Sequence, residues 1–283
     1  MPITLLVLDL DGTIVGQQLQ VSDAVIEAIR RVRGQGVRVA VATGRMYRAA
    51  LPFYRLVGSD LPLVSYQGAL VKDPVDGRVL LHRPVPVERT LEVLAFLEGE
   101  GLAVHLYLND TLYVRELTAA SRRYGERTGV TPQVVGDLRR VLTAEPTKIL
   151  GLTPGEATTD RLLGELRERY APETLYLTKS DPTFVEVAHP QVNKGLAVRY
   201  LAEQMLQIPR EEVMCVGDQF NDAEMLAYAG IGVAMGNAPA GVQAVADWVA
   251  PTVEQDGVAR AIEKFILAPE SLPCVPAPVS PAP

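Results

Sequence analysis

Residues 5–15 read LLVLDLDGTIV. A run of Leu and Val suited to a buried strand ends on two aspartates, Asp9 and Asp11, separated only by Leu10 and followed by Gly12. In open parallel sheets, ligands bind beyond the carboxyl ends of the strands. Residues two apart can face the same side there, and a glycine lets the backbone bend away. The same kind of ending recurs along the chain. VAVATGR stops on Thr43, Gly44 and Arg45, and VMCVGDQFND stops on Asp218, Asn221 and Asp222. Between them Asn193-Lys194-Gly195 opens a helix, where free N–H groups and a lysine can hold an anion.

Around these ends, strand-like runs alternate with amphipathic helical stretches: ITLLVLDL, SDAVIEAIRRVRGQG, VRVAVATG, MYRAALPFYRLVG and PLVSYQ. Ser22 is placed to cap the first helix, and the glycines at 34 and 36 are placed to close it. Such alternation with short connections predicts an α/β fold whose parallel sheet is covered on both faces. Asp76-Gly77 and Asn109-Asp110, each between β-prone runs, are hairpin signals. From 85 to 189 the style changes to paired strands beside helices, which predicts an α+β layer with an antiparallel sheet. After Asn193 the first style returns. The chain is therefore expected to fold as a split domain, 1–84 and 190–268, interrupted by an insertion at 85–189. Residues 269–283 are Pro-rich with little to bury, and a disordered tail is expected there.

The bulk numbers narrow the function. A chain of 283 residues suits two domains, and 48% hydrophobic content suffices for a sizeable core. A formal charge of −7 argues against a nucleic-acid surface. Cys215 and Cys274, in a core-like strand and the Pro-rich end, form neither a disulfide framework nor a metal ligand set. With no leader-like start and no apolar run long enough to span a bilayer, a cytoplasmic protein without a membrane partner is expected.

Collected together, the strand and helix ends supply four carboxylates, a lysine, a threonine hydroxyl and Gly-rich backbone. Carboxylates this close repel and raise each other's pKa unless something neutralises them. A hard divalent cation does so, and Mg²⁺ commonly pairs with substrate phosphate. An ionised aspartate can also attack phosphorus, giving an aspartyl-phosphate. One carboxylate would attack and its neighbour would manage the proton.

DLDGT at 9–13, TGR at 43–45, Lys194 and GDQFND at 217–222 resemble the four motifs of the haloacid dehalogenase-like (HAD) phosphohydrolases. Their order, with an α/β insertion before the lysine, resembles the Cof-type branch, from Ile3 to about Leu267. The resemblance implies a Rossmann-like core with an inserted α+β cap, and a small phosphorylated metabolite as substrate. It implies Asp9 as nucleophile and Mg²⁺ ligand, and Asp11 as general acid/base with its backbone carbonyl on the metal. It implies Asp218 as a direct ligand and Asp222 as a ligand or the partner of one. Thr43, Gly44, Lys194, Asn221 and the Leu10 N–H would hold phosphate. Where family members often read NGA after the third strand, this chain has Gln67-Gly68-Ala69, which puts substrate contact at Gln67 in question.

Arg45 either contacts substrate or holds a helix or a neighbouring carboxylate. Thr13 is expected to support the turn and orient Asp9. Glu186 and His189 are expected at a hinge or on the surface, and His82 and His105 in structural roles. Tyr107, Tyr113 and Tyr124 are expected in the core of the insertion, and Trp248 in strand packing. A phosphatase acting on a sugar phosphate or phosphorylated cofactor is the expectation. A phosphomutase of the same superfamily and a catalytically silent metabolite-binding regulator are the alternatives.

Overall fold

The computed structural model describes residues 2–16 and 18–268, so the expected tail at 269–283, with Cys274, lies outside the described residues. Five strands form a parallel sheet in the order Trp248–Val249, Ile231–Ala234, Val213–Gly217, Leu5–Leu8, Arg38–Val41. The strand Leu5–Leu8 has neighbours on both sides, pairing with Arg38–Val41 and with Val213–Gly217. Its four residues are fully buried, Leu6 and Leu8 in one apolar cluster and Leu5 and Val7 in another. An unbroken apolar run is what a parallel strand covered on both faces requires. The helix Asp23–Gly34 begins where Ser22 accepts from the Val25 N–H at 3.2 Å, and it buries Val25, Ile29 and Val32 along one stripe.

A parallel bridge from Ala42 to Val64 leads into a small antiparallel sheet, Leu63–Ser65, Leu70–Lys72 and Val79–His82. Its second connection carries Gly77 at φ 74°, the expected hairpin.

The insertion builds a separate six-stranded sheet in the order Tyr176–Thr178, Phe184–Ala188, Lys148–Leu152, Ala103–Leu108, Thr111–Val114, Gln133–Val134. Asn109 and Asp110 turn its central hairpin with φ 50° and 54°, the left-handed pair that a two-residue turn of this kind needs. The sheet is mixed rather than purely antiparallel, because Gln133–Val134 pairs parallel to Thr111–Val114. The helix Ala119–Thr128 lies between those two strands and carries the chain back, as a parallel pair demands.

Side-chain alternation gives this sheet two different faces. On one, Val104, Leu106, Ile149, Val185 and Val187 pack under the helices Val87–Gly99 and Glu156–Arg169. The other carries His105, Tyr107, Lys148, Phe184 and Glu186. Lys148 sits opposite Tyr107, while Glu186 sits opposite Leu150, two residues from Lys148 on the same face. The tip of the central hairpin rests on the parallel-sheet unit: Asp110 accepts from Tyr66 Oη at 2.8 Å and from Arg48 N at 3.1 Å.

The isolated histidines are structural as expected: His82 Nε2 meets Thr147 Oγ1 at 3.0 Å and His105 Nε2 meets Ser121 Oγ at 2.9 Å. Trp248 packs edge-on against Phe265 at 5.5 Å between ring centroids. Among the described residues no helix is long and apolar enough to cross a membrane.

Candidate active site

Asp9 follows the last residue of the strand Leu5–Leu8, and its N–H is tied to Val216 O at 3.0 Å. The chain then turns tightly, with the Leu10 carbonyl accepting the N–H groups of Thr13, Ile14 and Val15 at 3.2, 3.0 and 2.8 Å. Gly12 lies in this turn at φ 81°, and a Cβ there would overlap the Asp218 carboxylate. Glycine at this position thus serves two needs, the left-handed backbone and the approach of Asp218.

Asp218 follows the strand Val213–Gly217, beside Asp9 because the two strands are neighbours in the sheet. Asp9, Asp218 and Asp222 are all buried and offer carboxylate oxygens within 4.8 Å of one another. Lys194 bridges two of them, its Nζ 2.5 Å from Asp9 Oδ1 and 2.5 Å from Asp222 Oδ1. Asp222 Oδ2 accepts the N–H groups of Asp218 and Gln219, each at 2.9 Å, which fixes the turn that carries Asp218.

The electrostatics follow from burial and surplus negative charge. Burial pushes the Asp9 carboxyl well above the usual carboxylate range; Lys194 opposes this, and Asp222 and Asp218 add to it. Asp218 is pushed up to about 7, by burial first and then by Asp222. Burial works against the Lys194 ammonium, yet Asp222 and Asp9 hold it above its ordinary value. Three carboxylates facing one ammonium make a hard-oxygen, anionic nest that fits a divalent cation such as Mg²⁺.

Thr43 and Gly44 line the same cavity as Asp9, and Asn221 joins them from the 3₁₀ turn Phe220–Asp222. Arg45 is engaged with a neighbouring carboxylate: its Nε reaches Asp11 Oδ2 at 2.7 Å and its Nη2 reaches Asp11 Oδ1 at 2.5 Å. The Asp11 side chain, 56% exposed, lines the same cavity as Asp9 but stands apart from the buried aspartate cluster. Thr13 departs from expectation, since its hydroxyl donates to Asp218 Oδ1 at 3.0 Å; it orients Asp218 rather than Asp9.

Gln67 is buried at φ 60°, and its Oε1 accepts from Asn221 Nδ2 at 2.8 Å. It stands behind Asn221 and over Gly44, holding the amide rather than lining the cavity. Glu186 is corrected outright. It is buried, not at a hinge or on the surface, because its place in the strand Phe184–Ala188 points it away from the cap helices and toward the cavity. Sequence reasoning also missed Asn237, whose Nδ2 donates to Gly12 O at 2.9 Å and approaches Asp218 Oδ2 at 3.3 Å. Asn237 follows the strand Ile231–Ala234, so its position beyond a strand end was the available signal.

The cavity holds about 670 Å³ and lies between the strand ends of the parallel sheet and the charged face of the inserted sheet. Tyr124, Phe184, Lys148 and Glu186 close it from the insertion side. Tyr124 was expected in the insertion core; it is buried and also forms part of this wall.

Comparison with known proteins agrees with this arrangement. Residues 6–262 match the family described as haloacid dehalogenase-like hydrolase. The chain is 28% identical to the phosphatase YwpJ of Bacillus subtilis, over 93% of this chain and 99% of that protein. It is 30% identical to the 5-amino-6-(5-phospho-D-ribitylamino)uracil phosphatase YitU of the same organism, over 92% of this chain and 97% of that one. A crystal structure of a haloacid dehalogenase-like hydrolase from Bacteroides thetaiotaomicron superposes with a TM-score of 0.83 at 26% identity, covering 92% of this chain and 98% of that one. With the motif residues gathered at one set of strand ends beneath an inserted sheet, the chain belongs to the haloacid dehalogenase-like hydrolases, in the Cof-type branch, and is a phosphatase, a phosphoric monoester hydrolase.

Proposed function

We propose that this phosphatase is Mg²⁺-dependent and hydrolyses a small phosphorylated metabolite of the cytoplasm, a sugar phosphate or phosphorylated cofactor, through an aspartyl-phosphate on Asp9. The observation that carries this is the position of Asp9, at a central strand end, on the cavity wall and within 4.8 Å of two further carboxylates. Residues 1–84 and 190–268 form the catalytic core in this proposal, and residues 85–189 form the cap. The substrate class is supported by the ribityl phosphate compound named for YitU, and by a cavity large enough for a phosphoryl group with a five- or six-carbon tail.

Asp9 and Asp218 would hold the metal directly, with the Asp11 backbone carbonyl, while Asp222 would hold Lys194 and the Asp218 backbone. When bound, Mg²⁺ supplies positive charge that offsets the aspartates and the phosphoryl oxygens. Asp9 attacks phosphorus, forming an Oδ–P bond as the bond to the leaving oxygen breaks. Asp11, on the lining of the same cavity, exchanges its contact with Arg45 for a proton from solvent as substrate binds, and gives that proton to the leaving oxygen. It then takes a proton from water as the water oxygen bonds to phosphorus and Asp9 is released. Lys194, the Thr43 hydroxyl, the backbone of Gly44 and Leu10, and the Asn221 amide steady the phosphoryl group. Most of the rate then comes from positioning and charge. Trapping with beryllium fluoride and peptide mapping tests this: the adduct is expected on Asp9, and an adduct on any other residue rejects the mechanism.

A further inference from the structure

The cap wall of the cavity contains a buried ion pair that the phosphoryl chemistry does not use. Lys148 Nζ lies 3.2 Å from Glu186 Oε2, with the two side chains 5% and 2% exposed. The Ser180 hydroxyl donates to the other oxygen of Glu186, and the Lys148 ammonium lies over the Tyr107 ring, 5.2 Å from its centroid. All three polar groups line the cavity that holds Asp9. On the opposite face of the same strands the corresponding positions are Ile149, Val185 and Val187, fully buried and apolar. A buried ion pair adds little to stability compared with apolar residues of the same volume. Its placement on the substrate side alone calls for a role there.

We propose that Lys148, Glu186 and Ser180 form a leaving-group subsite that takes an uncharged, hydroxylated tail and turns away a tail bearing a second anion. The proposal rests on the phosphatase assignment and adds what the cap selects. An ammonium has three N–H donors and a carboxylate several lone pairs, so the pair retains hydrogen-bonding capacity beyond its own contact. A hydroxyl both donates and accepts, and it fits between such neighbours. A carboxylate or second phosphate meets Glu186 and finds Lys148 already neutralised. The other cap cation on this wall is occupied as well: Arg127 Nη1 pairs with Asp181 Oδ2 at 2.9 Å. Over the whole cavity lining, six carboxylates face three cationic side chains among the described residues. Tyr124 and Phe184, the latter with the Arg127 guanidinium over its ring at 5.0 Å from the centroid, add aromatic carbon to the lining against which the C–H side of a polyol can lie. A phosphomutase working through a bisphosphate would need the opposite charge balance.

The test compares two linear six-carbon substrates that differ at the far end, sorbitol 6-phosphate with a hydroxymethyl group and 6-phosphogluconate with a carboxylate. p-Nitrophenyl phosphate, whose aryl group carries no hydroxyl for the subsite and needs no proton to leave, is the reference. The wild-type enzyme with Mg²⁺ should prefer sorbitol 6-phosphate in kcat/KM by about tenfold or more, the discrimination expected of a charged hydrogen-bonding site. Glu186→Gln leaves Lys148 without its carboxylate and should lower that ratio by a similar factor. Lys148→Met should raise it while weakening both tails. Activity on the aryl phosphate should change little in either variant. If a single variant does not fold, the double variant K148M/E186L removes both charges together, and the ratio should collapse toward one. Equal use of both tails by the wild type, or a ratio unmoved in folded variants, would overturn the subsite. Turnover of the aryl phosphate alone would overturn the subsite, and failure of the wild type on all three compounds would overturn the proposed sugar-phosphate function together with it.

Discussion

Two lysines are buried in the described part of this molecule, and their surroundings differ. Lys194 lies 2.5 Å from both Asp9 and Asp222, with Asp218 close by. Lys148 has a single carboxylate, Glu186, at 3.2 Å. In the core the ammonium leaves negative charge unbalanced; burial first, with the neighbouring carboxylates adding to it, raises the pKa of Asp9 and Asp218. In the cap the pair sums to zero. In the proposals above, the same residue type would prepare one wall to receive cation and phosphate, and the other to discriminate by hydrogen bonding without a field of its own.

The largest effect should come from removing the core's reacting charge. Asp9→Asn keeps the shape of the site and should lower turnover on the order of 10⁴-fold, as loss of a nucleophile commonly does. Steady-state release of phosphate measures it. A loss of only a few-fold would place the nucleophile elsewhere.

Metal removal probes the same surplus charge through stability. Activity should vanish in chelator and return with Mg²⁺. In chelator, the folded-state pKa of Asp218, about 7, lies above its unfolded value, so the folded protein holds the extra proton between them. Stability should therefore fall as pH rises from about 4 to about 7, and Mg²⁺ should restore it on the alkaline side with little effect at the acid end. Thermal melts with and without the ion decide this. Equal Mg²⁺ stabilisation at both ends would break the link between carboxylate surplus and metal.

Asp11 is next in size. Asp11→Asn should slow phosphorylation by an alkyl phosphate about 10²- to 10⁴-fold, the usual range for general acid catalysis. A nitrophenolate needs no proton to leave. In single turnover, p-nitrophenyl phosphate should therefore lose much less rate. Matching losses on the two substrates would assign Asp11 to the turn rather than to the proton.

The cap should respond to pH in the opposite sense. Burial, with Lys148 adding to it, lowers the pKa of His105 to about 3. The unfolded chain then binds the extra proton first, so this residue's contribution to stability is lost as pH falls below about 6.5 toward 3. His105→Gln should flatten the acid side of the melting profile while leaving the alkaline side in chelator unchanged. An unchanged acid side would remove His105 from the account.

The core site was legible because its residues stand at strand ends, where the local sequence sets their direction. A hydrophobic run, a carboxylate and a glycine placed Asp9, and the same grammar placed Thr43, Gly44, Asp218 and Asp222. The Lys148–Glu186 pair was hidden because it depends on the register between the strands Lys148–Leu152 and Phe184–Ala188, which nothing local specifies. A single Glu alternating with Val in FVEVA, and a single Lys opening KILGL, were its only traces. Thr13 was placed in the right turn but assigned the wrong carboxylate, since Asp218 arrives there from the far end of the chain. The mixed cap sheet was missed for a related reason, as Gln133–Val134 is too short to carry a pattern.

The strand Leu5–Leu8 has a further consequence during synthesis. One of its partners, Arg38–Val41, leaves the ribosome soon after it, but the other, Val213–Gly217, emerges only after the whole insertion has been made. Until then four apolar residues present an open edge, ready to pair with another nascent chain. Asp9 also lacks Lys194 during that interval, a charge without its counter-charge at the end of the exposed edge. The insertion can collapse on its own apolar cluster while the first strand waits. A ribosome pause before Val213–Gly217 has left the exit tunnel would thus lengthen the aggregation-prone stage, whereas one after that strand has emerged would fall when the edge is already covered.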